Sequence, residues 1–496
     1  MAIISPRDEP KDHGMLPAWG TADLPAPPPY NFTNALKLIG PGAIALGISI
    51  GSGEWLLGPT VTAKYGAGLL WVATVSILLQ LVYNTEAVRY TLYTGEPIFT
   101  GFLRTKPGPK FWGPFYVVLF ALQVGWPGWA LTAATALSAG ILGRMPTAAD
   151  RSMVLFWGYA TFILAIVVIS LGKKVQKTME YVQWFFIGWI LLYLLGIDLF
   201  ATPVASWMKV AGGFAGLGGV MGGRMWPDPG DWVLVAAFAA YAGMGGLVNG
   251  TVTNWVRDKG WGMGSKVGYI PAMVGGAKVN LSYTGKVFPL TPENLSRFNQ
   301  WWKFVMADQA WVWTLGCFLG MALPAILTVT FVPASAKPDQ WAIAAVIADG
   351  IKGRFGEGFW FLTLLNGFWI LLSTQIGQLE AFVRTTTDIL WTGERVRRWA
   401  SDDVRKVYYP ILLGICLLGM VLINFGAPLA LIIIGAFISG VNFVIMGAHT
   451  RVVQWKFLPD QLQPPVWRKL ALGAMILFFA FFATLGILNR VFGMKI

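Results

Sequence analysis

Eleven apolar stretches divide this chain, near residues 38–64, 68–93, 114–143, 152–171, 181–202, 230–256, 308–332, 357–391, 407–425, 427–447 and 467–490. Each is long enough to cross the roughly 30 Å hydrocarbon core of a bilayer as a helix of about 20 residues. Nothing else in the sequence constrains the fold as strongly. Lipid offers no hydrogen-bond partner to an open backbone, so only helices and closed barrels span it, and these stretches lack the alternation a barrel strand needs. The expectation is an all-α polytopic membrane protein with 11 transmembrane helices, in which 55% hydrophobic and 12% charged residues exclude an ordinary soluble domain.

The charge distribution tests that count. Lys and Arg outnumber Asp and Glu by 37 to 24, but they lie in the short connections rather than on one basic face, so nucleic acid is not an expected partner. With the N-terminus inside, the inner connections hold about 25 Lys and Arg and the outer ones about 10, the asymmetry of the positive-inside rule. The N-terminus is therefore expected on the cytoplasmic side and the C-terminus outside, in a multi-pass protein of a prokaryotic inner membrane. Residues 1–36 are polar and Pro-rich, without the pattern of a signal peptide, and read as a cytoplasmic N-terminal tail. The connection 257–307 is too long for a plain turn. Most of the 25 tryptophans fall near span ends, where an interfacial belt is expected, but Trp55 and the pair Trp126 and Trp129 do not.

Two spans interrupt themselves. The first carries Gly51-Ser52-Gly53-Glu54, and the sixth carries Gly243, Met244, Gly245, Gly246, Asn249 and Gly250 just after Tyr241. One such cluster is compatible with small-residue helix packing. Two of them, in spans one and six, occupy corresponding positions in a 5+5 inverted repeat, where paired interruptions mark a midplane binding site. This divides the chain into a first repeat over 37–202, a second over 230–447 that includes the cytoplasmic loop 257–307, and an added span at 467–490.

The stretch "GPGAIALGISIGSGEW" resembles the first span of the Nramp metal transporters, whose pattern runs Gly-Pro-Gly and later Asp-Pro-Gly-Asn-Trp. The similarity continues through "TGEPI", "GKKVQKTMEYVQ" and "LLSTQIGQ", so it covers most of the chain. It implies the LeuT-like fold of amino-acid permeases and sodium-coupled transporters, with discontinuous spans 1 and 6 and alternating access to a substrate between them. The departures fall on the site. Where the family has its metal-ligating aspartate, this chain has Gly51; where the family has Met-Pro-His, it has Met244-Gly245-Gly246; and residues 111–143 contain no charged residue or histidine.

The substrate-binding candidates are Gly51, Ser52, Gly53, Glu54, Tyr241, Met244, Gly245, Gly246 and Asn249. An interrupted helix exposes N–H groups at the positive end of its second half, and Gly51 and Gly53 are expected to let a ligand approach that backbone, with Ser52 as a further donor. Without the aspartate, this favours a small inorganic anion, and resemblance to Nramp-related bicarbonate transporters makes bicarbonate the specific expectation. A divalent cation, Mg(II) or Mn(II), held by Glu54 is the alternative, possible with proton coupling; an amino acid, as in permeases with a similar Gly-Ser-Gly motif, is the third. Glu54 could cap its own helix, turn away, or carry a proton.

Span two carries Glu86 and Arg89, and span eight Glu380 and Arg384, at helical pair spacing; they are coupling-ion, gate or structural-lock candidates. Ser373 and Thr374 lie where sodium-coupled relatives place hydroxyls facing span one. Asn442 is a weaker candidate. Cys317 and Cys416 read as packing residues, and His13 and His449 belong to no nucleophile or metal set. The expected protein is a monomer, not an enzyme, with no cofactor and no resident metal.

Overall fold

The computed structural model describes residues 12–333, 343–426, 428–490 and 492–494. Nine stretches among them are helical, long and apolar enough to cross a membrane. The first, Pro41–Thr94, is 54 residues long, about 80 Å if straight, and is two crossings. The chain turns at Gly66, which takes a φ of 63°, through a short 3-10 segment at Gly66–Leu69 into the helix Leu70–Thr94. That helix runs back beside span one. Its Gln80 lies level with Gly243, and its Asn84 donates to Gln309 at 3.1 Å, beside the Asp308 that holds Gly40 and Gly42.

An eleventh crossing is hidden in two halves. Trp232–Tyr241 and Val248–Lys259 have 10 and 12 residues, about 15 and 18 Å, so neither alone spans the core. Spans four, five, eight, nine, ten and eleven are Arg151–Ser170, Val175–Ala201, Glu357–Trp391, Arg405–Leu422, Pro428–Phe457 and Val466–Arg490. Span three is also broken: helices Pro109–Val124 and Gly128–Leu142 flank Gly125-Trp126-Pro127. Proline removes a donor and clashes with the preceding turn.

Span seven begins earlier than its apolar run. The helix Pro292–Met306 continues through a π-helical segment, Ala307–Thr314, into Leu315–Phe331, so the long connection expected over 257–307 is helical from Pro292 onward. The start is conventional. Thr291 accepts from the Asn294 backbone, and Pro292 takes the first helical position.

The described part of the N-terminal tail is packed. Gly20–Thr21 pairs in parallel with Lys286–Val287, the Arg104 guanidinium donates to the carbonyls of His13 at 2.7 Å and Pro17 at 2.9 Å, and Trp19 stacks 4.2 Å from that guanidinium. Asn294 accepts from the Leu24 backbone, and Trp301 donates to the Pro25 carbonyl. Trp19 and Leu24 are buried. These contacts lay residues 13–25 as a strap over one end of the bundle.

Candidate functional site

The two interruptions meet. A helix ends at Ser49, Ile50 leaves helical geometry with ψ 82°, and the chain resumes as a π-turn over Gly53–Leu57. In span six the helix ends at Tyr241, Ala242 takes ψ 81°, and Gly243, Gly245 and Gly246 follow with φ of 121°, 86° and 54°. Only glycine enters that region without strain.

Gly51 and Gly53 are required for a different reason from the one their sequence suggests. Neither has a positive φ. A Cβ on Gly53 would lie 1.8 Å from the Tyr241 carbonyl oxygen, and one on Gly51 would lie 2.2 Å from the Thr374 hydroxyl. The space expected to admit a ligand is taken by spans six and eight. Glycine here lets three chain segments touch.

Of the roles open to Glu54, the geometry displays capping. Its carboxylate accepts from the Gly51 backbone at 3.1 Å and, across the gap, from the Gly243 backbone at 3.2 Å, so one buried side chain ties both breaks. Three glutamines complete the backbone pairing of span six. Gln80 accepts from the Met244 N–H and from Asn249 and donates to the Ala242 carbonyl at 2.8 Å. Gln123 donates to the Gly245 carbonyl and accepts from the Leu247 N–H and from Asn442. Gln378 donates to the Met244 carbonyl at 3.3 Å. An amide carries both a donor and an acceptor, so it can replace a missing helical turn on both sides.

Between the breaks lies a buried cavity of about 10 Å³, room for about one water. Ile48, Ser49, Ser52, Gly53, Tyr241, Gly243, Met244, Thr374 and Gln378 line it. Trp129 donates to the Ser52 hydroxyl at 2.9 Å, and the Gln378 carbonyl oxygen is buried without a partner among the described residues. Ser373 and Thr374 face span one, with hydroxyls 3.1 Å from the carbonyls of Gly47 and Ile48 respectively, and both also reach the Ile370 carbonyl of their own helix. No Lys or Arg is among the described residues that line the cavity. Among the described residues no group of three or more His, Cys, Asp or Glu could hold a metal, so any bound cation would rely on Glu54, hydroxyls, carbonyls and the Met244 thioether.

The charged pairs lie away from this cavity, toward the strap. Glu86 accepts from Arg89 at 2.8 and 2.9 Å, from Arg468 at 3.0 Å and from Gln454. Arg384 bridges Glu380 and Asp258, Trp255 donates to Glu380, and Arg257 joins Asp258 to Asp388 at 2.7 Å. These interactions join spans two, six, eight, ten and eleven. Removing one member would leave a buried charge unpaired, at a cost of about 3–5 kcal/mol.

Several site residues escaped the sequence reading. Gln80, Gln123 and Gln378 are uncharged and sit in apolar runs. Trp129 had a signal, as a tryptophan far from any span end. Asp308 accepts from the Gly40 and Gly42 backbones at 3.0 and 2.6 Å, capping span one from a position more than 260 residues away.

No protein-family profile and no curated protein sequence matches the chain. Solved structures do. A point mutant of the Eremococcus coleocola manganese transporter superposes with a TM-score of 0.61 at 14% identity, covering 96% of this chain and 91% of that one. The same transporter in complex with an aromatic bis-isothiourea substituted compound gives 0.59 at 13% identity, with 95% and 90% covered. MhsT in complex with L-phenylalanine gives 0.50 at 16% identity, with 90% and 98% covered. The chain has their fold. It is an integral, multi-pass, all-α membrane protein of the LeuT-like class.

Proposed function

We propose that this protein is a transporter of a small divalent cation, Mn(II) or Mg(II), which it binds between the breaks of spans one and six and carries by alternating access. The observation that carries this reading is Glu54: a buried carboxylate that meets the backbone of both breaks, at Gly51 and at Gly243, the second of which lines a cavity with no basic side chain among its described lining residues. A cation entering there neutralises a charge that burial makes costly. The further ligands available are hard oxygens, the Thr374 hydroxyl and the Gln378 carbonyl, with one soft sulfur from Met244, a set compatible with Mn(II) or with a partly hydrated Mg(II). The likeness in fold to a manganese transporter agrees with it.

The oxyanion reading, with bicarbonate as cargo, is second. Its support is Ser52, whose oxygen receives Trp129 while its own proton meets no acceptor among the described residues. Against it, the Gly51 and Gly243 N–H groups that would seat an anion are occupied by Glu54. An amino-acid cargo has no comparable support.

Reconstitution decides between them. Proteoliposomes with an entrapped metal-sensitive dye should report Mn(II) or Mg(II) entry that Glu54→Gln abolishes. Bicarbonate-dependent pH change inside the vesicles, with no movement of either cation, would overturn the cation reading in favour of the oxyanion.

A further inference from the structure

One acidic side chain stands apart from every network described above. Asp198 lies on span five, Val175–Ala201, one turn before its end. It is fully buried, and both carboxyl oxygens lack a hydrogen-bond partner among the described residues. An intramembrane acid without a partner is costly and marks a functional site by default. The last turn of a helix adds to the cost, because the negative end of the dipole opposes a carboxylate there.

Among the described residues, no surrounding element brings a cation onto its carboxyl in this conformation. Span five packs against the Pro41–Ser49 helix of span one, which has no titratable group, and Leu315–Phe331 of span seven, whose single titratable residue is Cys317. Span eight runs antiparallel to it, since Gln183 meets the Ser373 carbonyl and Tyr193 meets Thr363. Glu380, Arg384 and Asp388 therefore lie toward the opposite end, and Glu357 at the near end pairs with Lys352 at 2.7 Å. On span four Arg151 donates to the Asn424 carbonyl. On span six Arg257, Asp258 and Lys259 are engaged at the strap end; on span five itself, Glu180 holds Lys259, and the Tyr193 hydroxyl is held by Thr363.

One cation is nevertheless within a helical turn. Arg354, on the helix Ile343–Phe355 between spans seven and eight, donates to the Ala201 carbonyl at 2.9 Å, three residues beyond Asp198.

We propose that Asp198 is a proton-binding site. In this conformation the carboxyl holds its proton. When the Arg354 end of the bundle opens, the O–H bond breaks, the proton passes to water, and the Arg354 guanidinium exchanges the Ala201 carbonyl for the new carboxylate. The coupling of that proton to cargo rests on the transporter reading; the proton site itself does not.

The experiment has two readouts on the full-length protein. Infrared spectra of wild type minus Asp198→Asn at neutral pH should contain a protonated-carboxyl C=O band that the variant lacks. In proteoliposomes Asp198→Asn should keep cargo uptake but flatten its pH dependence, and Arg354→Gln should move that dependence to higher pH. Should the Asn variant not fold, Asp198→Glu must shift the carboxyl band instead. Absence of the band, or an unchanged pH profile in Asp198→Asn, overturns the proposal. A band without any cargo flux in wild type defeats the transporter reading and leaves the proton site standing.

Discussion

The breaks in spans one and six look alike as sequence, two glycine clusters in apolar helices, yet they are built on different physics. Span six is broken by backbone conformation: three glycines with positive φ, held open by Gln80, Gln123 and Gln378. Span one is broken by proximity: its glycines keep negative φ and are small because the Tyr241 carbonyl and the Thr374 hydroxyl press against them. The first kind needs outside groups to replace lost hydrogen bonds. The second also has its freed backbone met by side chains, Glu54, Ser373 and Thr374, but its glycines are required by the absence of a Cβ. A glycine-rich interruption therefore does not by itself announce an open ligand seat.

Substitutions can break that distinction, and Gly53→Ala should do the most. Its Cβ meets a backbone carbonyl that cannot rotate away, so a loss of about 3 kcal/mol or more is expected, seen as a lower melting temperature in detergent. No second-site truncation should rescue it. Gly51→Ala is the contrast, because its clash is with a side chain, and Thr374→Ala should restore most of the lost stability. Gln80→Leu comes next. It strands the Met244 N–H and leaves the Ala242 carbonyl only the longer bond from the Ser76 hydroxyl at 3.4 Å, at about 2–3 kcal/mol, and the thermal shift should appear without change in the Gly51 pair. Gly245→Ala forces a side chain into positive φ and against the Tyr241 ring, which should cost about 1–2 kcal/mol. Trp129→Phe removes one hydrogen bond to Ser52, worth about 1 kcal/mol; a change in cargo affinity larger than its change in melting temperature would place that bond in binding rather than folding.

A last prediction uses the strap end as a reference region whose stability responds to acid. Burial would raise Glu96, but the Arg104 guanidinium beside it, with the Tyr90 hydroxyl and the Gly285 N–H, holds its carboxyl below the ordinary range. A carboxyl lowered on folding contributes stability above its unfolded value of about 4.3, and that contribution is lost as pH falls through the lower folded value. Melting temperature should therefore drop below about pH 4, and Glu96→Gln should flatten that acid limb while leaving the Gly53→Ala effect unchanged.

The spans were legible because hydrocarbon imposes one solution on an apolar run, and the two breaks because glycine is conspicuous at midspan. The contacts that organise the breaks were not. Gln80 and Gln123 carry no charge, and an amide in a greasy helix does not reveal which backbone it completes. Asp308 and Gly40 are neighbours only after seven spans have packed. Asp198 stands close enough to the end of its span to pass for an interfacial acid. Glu54 was conspicuous, but that its carboxylate would reach across to cap the second break as well depended on where Gly243 would sit. The reading of 257–307 as a loop overlooked "LTPENL", a helix start with Thr291 as cap; hydropathy is silent there because Pro292–Met306 is amphipathic rather than apolar.

The strap has a consequence for the order in which the molecule is made. Residues 13–25 leave the ribosome before any span, yet the groups that secure them are Arg104, the Lys286–Val287 strand, Asn294 and Trp301. At about 5–20 residues per second the segment waits roughly 15–55 s between its own synthesis and that of Trp301. For that interval Trp19 and Leu24 have no finished surface to bury against, so the first part of the described chain to be translated is secured only after six crossings have been synthesised.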